Sequence, residues 1–134
     1  MKVVEVAAGL IYREGRYLIA KRNAGVHLAG FWEFPGGKRE PGESLEECLQ
    51  RELFEELNIH IDIPIPVQII RHQYPEKTVE LHFFRCRIVS GQAAAVDCAE
   101  IRWVWPHELG DYEFPPADRP ILELIGRQSM EQTS

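Results

Sequence analysis

The chain has 134 residues, 45% of them apolar and 27% charged, which is the length and mix of one soluble globular domain spanning residues 1–134. A net charge of −6 excludes sequence-independent binding to a nucleic acid polymer, though not binding of a nucleotide through a cation. The three cysteines (Cys48, Cys86, Cys98) form no CxxC pair, and signal-peptide layout and membrane-length apolar runs are both missing; a reduced cytoplasmic protein, monomeric or a weak homodimer, is expected.

Val3 to Tyr12 reads as a buried strand, Arg13-Glu14-Gly15-Arg16 as a hairpin turn, and Tyr17 to Arg22 as the returning strand. Asn23 to Gly30 is an irregular loop. Arg22, where strand gives way to loop, is a candidate anion contact, though a lone arginine serves equally as a surface charge. Phe31 to Pro35 is a short strand in which Phe34 or Trp32 lines an aromatic pocket or simply joins the core. Pro35-Gly36-Gly37 breaks that strand and lets the backbone approach a ligand closely.

The next stretch is a helix. Ser44 with Glu47 three residues on makes a capping box after the Pro41-Gly42 turn, and Asn58 tolerates the left-handed conformation of a C-cap. Leu45, Cys48 and Leu49 share one face, and two turns later Glu52, Glu55 and Glu56 continue it. Carboxylates at these spacings repel one another, and in a partly enclosed site a cation must answer them. Ligands made only of oxygen suit Mg²⁺ or Mn²⁺. The other reading, in which Arg51 and solvent neutralise a charged helix end, stays open at this point.

Beyond the helix, Ile59 to Pro66 is an edge or irregular segment interrupted by Pro64 and Pro66. Val67–Tyr74 and Thr78–Val89 read as strands joined by Pro75-Glu76-Lys77. His72 and His82 lie on them as surface or pocket-rim residues, because no third ligand has suitable spacing. Gly91 to Ala99 is a loop, and Glu100 to Trp105 is the last strand. Pro106 to Leu109 opens a small helix. The terminal helix has Pro120 in its first turn and turns Ile121, Leu122, Leu124 and Ile125 to the core, and the polar tail from Gln128 frays. About six strands and two longer helices make an α+β fold.

Gly37, five residues, Glu43, seven residues, then Arg51-Glu52-Leu53-Phe54-Glu55-Glu56-Leu57-Asn58-Ile59 resembles the Nudix box, the signature of the Nudix hydrolases. The signature covers residues 37–59 and matches at every position but one, where Asn58 replaces the family's Gly. The resemblance, which extends over nearly the whole chain, implies the Nudix fold, a mixed β-sheet sandwiched between helices (α/β/α). It implies attack of water on a phosphorus of a nucleoside triphosphate, giving monophosphate and pyrophosphate, with Mg²⁺ as cofactor and Mn²⁺ as possible substitute. It assigns metal binding to the Gly37 carbonyl, Glu52, Glu55 and Glu56, with Glu43 supporting the loop or a second metal. Arg51 orients the glutamates, and Glu52 or Asp97 is the candidate base.

In MutT-like members an arginine at the place of Arg22 holds the nucleotide, the resemblance puts Lys38 in reach of a phosphate, and the region of Asp97 adds a carboxylate to the metal site, with Glu100 as rival. Phe114-Pro115-Pro116-Ala117 resembles the segment that precedes a base-reading Asn in 8-oxo-dGTP diphosphatases; here Asp118 follows. As an acceptor, Asp118 suits the exocyclic amine of cytosine, or it is a helix-start residue without a ligand. The leading expectation is sanitation of 8-oxo-dGTP. The alternatives are a CTP or modified-dCTP pyrophosphohydrolase and, in another class, a non-catalytic nucleotide-binding module.

Overall fold

Of nine strands among the described residues, seven form one sheet built around a long central strand, β1 (Lys2–Arg13). The structure, a computed structural model, describes residues 2–133, with side chains through Met130. β1 turns at Glu14-Gly15, both at positive φ (52° and 86°), into the antiparallel β2 (Arg16–Lys21). That paired conformation suits a two-residue hairpin whose twist matches its strands. β3 (Trp32–Glu33) pairs with β2. β7 (Lys77–Cys86) runs parallel to β1 over ten residue pairs, and β6 (Ile65–Gln73) closes the edge antiparallel to β7, with a bulge between Pro66 and Gln68. β9 (Glu100–Val104) flanks β2.

Two short elements depart from the sequence reading. The Pro35-Gly36-Gly37 segment is no simple break, since Gly36–Lys38 forms strand β4, paired with Val6 to Ala8 of β1. A Cβ on Gly36 would lie 1.8 Å from the Ala7 carbonyl oxygen, so this pairing needs glycine. The expected strand through Val89 instead ends at Cys86, and β8 (Ile88–Ser90) pairs with β5 (His60–Ile61) as a separate ribbon. These pairings depend on partners far away in sequence, which local patterning does not report.

α1 (Leu45–Leu57) has the capping box expected of Ser44 and Glu47, and Asn58 caps it at φ 60°. The apolar stripe is continued by Leu53 and Leu57, which are buried with Cys48 and Leu49. Glu52 and Glu56 follow Cys48 one and two turns on, at the edge of that stripe, while the Glu55 side chain is 56% exposed. The glutamates thus border the apolar face rather than extend it as a set.

Alternation along β1 and β7 sends side chains to opposite faces of the sheet. One face carries Ala7, Ile11, Phe84 and Cys86 against α1. The other carries Ala8, Leu10 and Phe83 against Ile121 and Ile125 of α2 (Arg119–Thr133). The α+β arrangement, a mixed sheet between helices, is the one expected. α2 runs on past Gln128 to Thr133, where fraying was expected, and two 3₁₀ turns, Pro106–Asp111 and Pro116–Asp118, lead up to it. No helix among the described residues is long and apolar enough to cross a membrane.

Candidate active site

A cavity of about 680 Å³ opens on the α2 face of the sheet. Val6, Leu81 and Phe83 of the sheet line it, together with Asp118 from the turn before α2. Phe34, 4% exposed, lines it and meets Phe114 with ring centroids 5.1 Å apart. Trp32, the other aromatic candidate, packs edge-on against Tyr112 instead. Arg22, Gly37 and Lys38 line the end nearer α1.

At that end four carboxylates converge. Burial pushes the Glu56 carboxyl well above the ordinary range, and a shared hydrogen bond with Glu52 and the charges of Glu52, Glu33 and Asp97 push it further. Asp97 arrives there because the α1 C-terminus has free carbonyls. The Glu56 carbonyl accepts from the Val96 and Asp97 N–H groups at 3.0 and 3.1 Å, and the Leu57 carbonyl accepts from Ala94 at 3.0 Å. Asn23 Nδ2 then donates to Asp97 Oδ1 at 3.2 Å. Glu100, the rival, is held by Arg102 Nε at 2.5 Å. Gly37 sits directly against this group, since a Cβ there would come 2.4 Å from the Glu52 carboxyl carbon.

Arg51 is the hub on the other side of Glu52. Its Nε and Nη2 donate to the two oxygens of Glu43 at 3.0 and 2.8 Å, and its Nη1 donates to Glu52 Oε1 at 2.9 Å and Glu55 Oε2 at 3.3 Å. The fork from Arg51, with help from the Glu40 N–H, holds the Glu43 carboxyl down to about 2. Glu43 and Glu55 are therefore partners of Arg51, while Glu52, Glu56 and Asp97 form the crowded cluster.

Glu33 was missed by the sequence reading. It is half-buried, takes a 2.6 Å bond from Arg22 Nη1, and burial raises its carboxyl above the usual range. The signal was present, since an acid between Trp32 and Phe34 in a buried strand requires a partner or a ligand. Arg22 also donates to the His27 carbonyl at 2.7 Å, and His27 and Leu28 line the cavity. Asp118 is 8% exposed, and its carboxyl makes no hydrogen bond or ion pair with another described residue. Burial, then Glu33, pushes it up to about 7.

The histidines divide. His72 stays on the rim, edge-on to Tyr74 at 4.6 Å. His82 overturns the expectation that no third ligand approaches, because Glu80 and Glu5 both face it. All three cysteines are free thiols, as expected. Cys48 donates to the Gly37 carbonyl at 3.5 Å, and burial pushes its thiol up to about 12.

A mixed sheet between two helices, with an arginine-braced cluster of glutamates under a strand glycine, defines the class. Residues 6–124 match the NUDIX domain family, and the chain belongs to it. The chain is 38% identical over 125 residues to the CTP pyrophosphohydrolase of Escherichia coli K12, covering 93% of each protein. It is 34% identical to the 8-oxo-dGTP diphosphatase of Haemophilus influenzae, covering 92% of each. Among solved structures it resembles the MutT protein from Methanosarcina mazei Go1, with a TM-score of 0.82, 28% identity and 96% of each chain covered.

Proposed function

We propose that this protein is a Mg²⁺-dependent diphosphatase of nucleoside triphosphates. The observation that carries the reading is one cavity with an overcrowded oxygen cluster at one end and an unpaired buried carboxyl, Asp118, on its wall. Water attacks a phosphorus, a phosphoanhydride bond breaks, and nucleoside monophosphate and pyrophosphate leave.

The donor set fits a hard divalent cation. Glu52, Glu56 and Asp97 bring oxygens only, and Glu56 is raised by neighbouring negative charge that lacks an equal positive answer. The Gly37 carbonyl would join them, with Glu55 and Glu43 reached through Arg51 or a second ion. The bound cation would neutralise phosphate charge and make water more acidic. Arg51 fixes the rotamers of Glu43, Glu52 and Glu55 by its hydrogen bonds. Glu52 and Asp97 are the candidate bases: Glu52 is held by Arg51 and by the hydrogen bond it shares with Glu56, and Asp97 is held at Oδ1 by Asn23. Lys38 and Arg22 supply positive charge on the phosphate path, and Arg22 also holds Glu33 in place.

Base recognition falls to Asp118 and Phe34. An ionised Asp118 accepts from two adjacent N–H groups, such as N1–H and N2–H of a guanine, and the cavity is wide enough for a purine. Sanitation of 8-oxo-dGTP is the leading reading. Cytidine nucleotides are the second, favoured by the raised Asp118 pKa, because a protonated carboxyl donates to cytosine N3 while accepting from its amine.

The test is pyrophosphate release with Mg²⁺ from 8-oxo-dGTP, dGTP, CTP, 5-methyl-dCTP, ADP-ribose and a dinucleoside polyphosphate. A preference for 8-oxo-dGTP over dGTP above about tenfold, about 1.4 kcal/mol in the transition state, supports the leading reading. Preference for cytidine nucleotides moves the assignment to the second. Silence across the panel leaves a binding module.

A further inference from the structure

On the α1 face of the sheet, away from the cavity, Glu5 and Glu80 stand in direct register on parallel strands β1 and β7. Like charges placed opposite one another are unfavourable in a sheet. Each carboxylate is tied at its outer oxygen by a different arginine. Arg39 Nε donates to Glu5 Oε1 at 2.9 Å, and Arg71 donates to Glu80 Oε2. The inner oxygens, Glu5 Oε2 and Glu80 Oε1, turn towards His82 Nε2 at 3.9 and 3.3 Å. All three donor atoms lie within 4.8 Å of one another.

The spacing is informative. His82 Nε2 makes a long hydrogen bond with Glu80 Oε1 at 3.3 Å, while Glu5 Oε2 at 3.9 Å lies beyond hydrogen-bond reach. Two ligands each about 2.0–2.1 Å from a tetrahedral ion lie about 3.3–3.4 Å apart. The three donor atoms are close enough together that small side-chain movements bring them to that separation, with an ion replacing the proton shared by His82 and Glu80. The arginines hold the outer oxygens as hydrogen-bonded supports commonly hold metal-ligating carboxylates. The His82 and Glu80 side chains are 13% and 14% exposed and Glu5 31%, so the group is shielded yet open to solvent on one side.

We propose that Glu5, Glu80 and His82 form a second cation site, for a zinc-class divalent ion with a fourth position left to water. The imidazole sets its chemistry apart from the oxygen-only cluster at Glu52, because nitrogen ligands favour zinc, cobalt and nickel over magnesium. The site also touches the strand that carries Gly37. The Arg39 N–H donates to the Glu5 carbonyl at 2.9 Å, directly after β4, so a bound ion stiffens the end of that strand.

Cobalt is the probe. The double variant E52Q/E56Q disables the oxygen-only cluster, and Co²⁺ is then titrated while its visible absorption and the His82 imidazole resonances are followed. One equivalent is expected to bind, with the intensity of a tetrahedral ion, and to resist excess Mg²⁺. Adding H82N, or the near-isosteric E80Q as a second variant, should weaken that binding at least tenfold. In the otherwise wild-type protein, H82N should leave Mg²⁺-dependent turnover unchanged. Absence of cobalt binding in E52Q/E56Q, or binding that neither H82N nor E80Q weakens, overturns the site.

Discussion

Asp118 has an ordinary carboxyl pKa of 3.8 in an unfolded chain and about 7 in the fold, with burial the main cause. The folded state therefore keeps a proton that the unfolded state releases, and stability falls as pH rises from about 4 to about 7. D118N should remove that slope, gaining more over wild type at pH 8 than at pH 5 in urea midpoints. On the proposed role of Asp118 in base reading, the same proton decides which base edge fits. Ionised, the side chain offers only acceptors and suits paired N–H groups of a guanine; protonated, it offers one donor and one acceptor and suits cytosine. The ratio of kcat/KM for 8-oxo-dGTP over CTP should thus rise through pH 7, by about tenfold between pH 6 and 8 if one good bidentate contact changes hands. In D118N the ratio should be flat with pH. Parallel profiles in wild type and variant would remove Asp118 from base reading.

At the scale of the element, α1 shows which information is local. Its caps were legible from Ser44, Glu47 and Asn58 because each bonds within a few residues of itself. Asn58 holds φ 60° where Gly does so without steric cost, so N58G should stabilise the fold by up to about 1 kcal/mol in a urea melt. Arg51 matters in a different way, since its fork to Glu43 and its bond to Glu52 make it a positioning residue. R51K keeps the charge and loses the fork. Metal activation is expected to weaken about 10- to 100-fold, in the range of supporting partners around metal sites, with little change in melting temperature. The readout is the Mg²⁺ concentration for half-maximal rate, and an unchanged value would reduce Arg51 to a surface charge. β4 was not legible in the same way, because Gly36–Lys38 is a strand only through its pairing with Val6 to Ala8.

For the whole molecule, the fold class could be read from the chain, and most candidate site residues could be named because the signature is contiguous and its spacing is helical. What escaped was assembled at long range. Glu33 enters through a strand pairing and Arg22, and His82 meets a carboxylate from the first strand, whereas Asp97, named through the resemblance alone, reaches Glu56 through loop N–H groups. The sheet between these parts separates two cores. Leu53 is fully buried on the α1 side with the carboxylate cluster, and Ile121 is fully buried on the α2 side, three residues after Asp118. Each truncation to alanine should cost about 2–5 kcal/mol, since both remove a buried branched side chain. The functional consequences should separate. At a temperature where both variants stay folded, I121A frees the turn that carries Asp118 and raises KM for the preferred nucleotide severalfold, with the Mg²⁺ activation constant unchanged. L53A loosens the helix row beside Glu52 and Glu56 and shifts the Mg²⁺ constant, with KM little affected. If both variants move both constants alike, the sheet does not insulate the base side from the metal side, and the division of labour between its two faces is wrong.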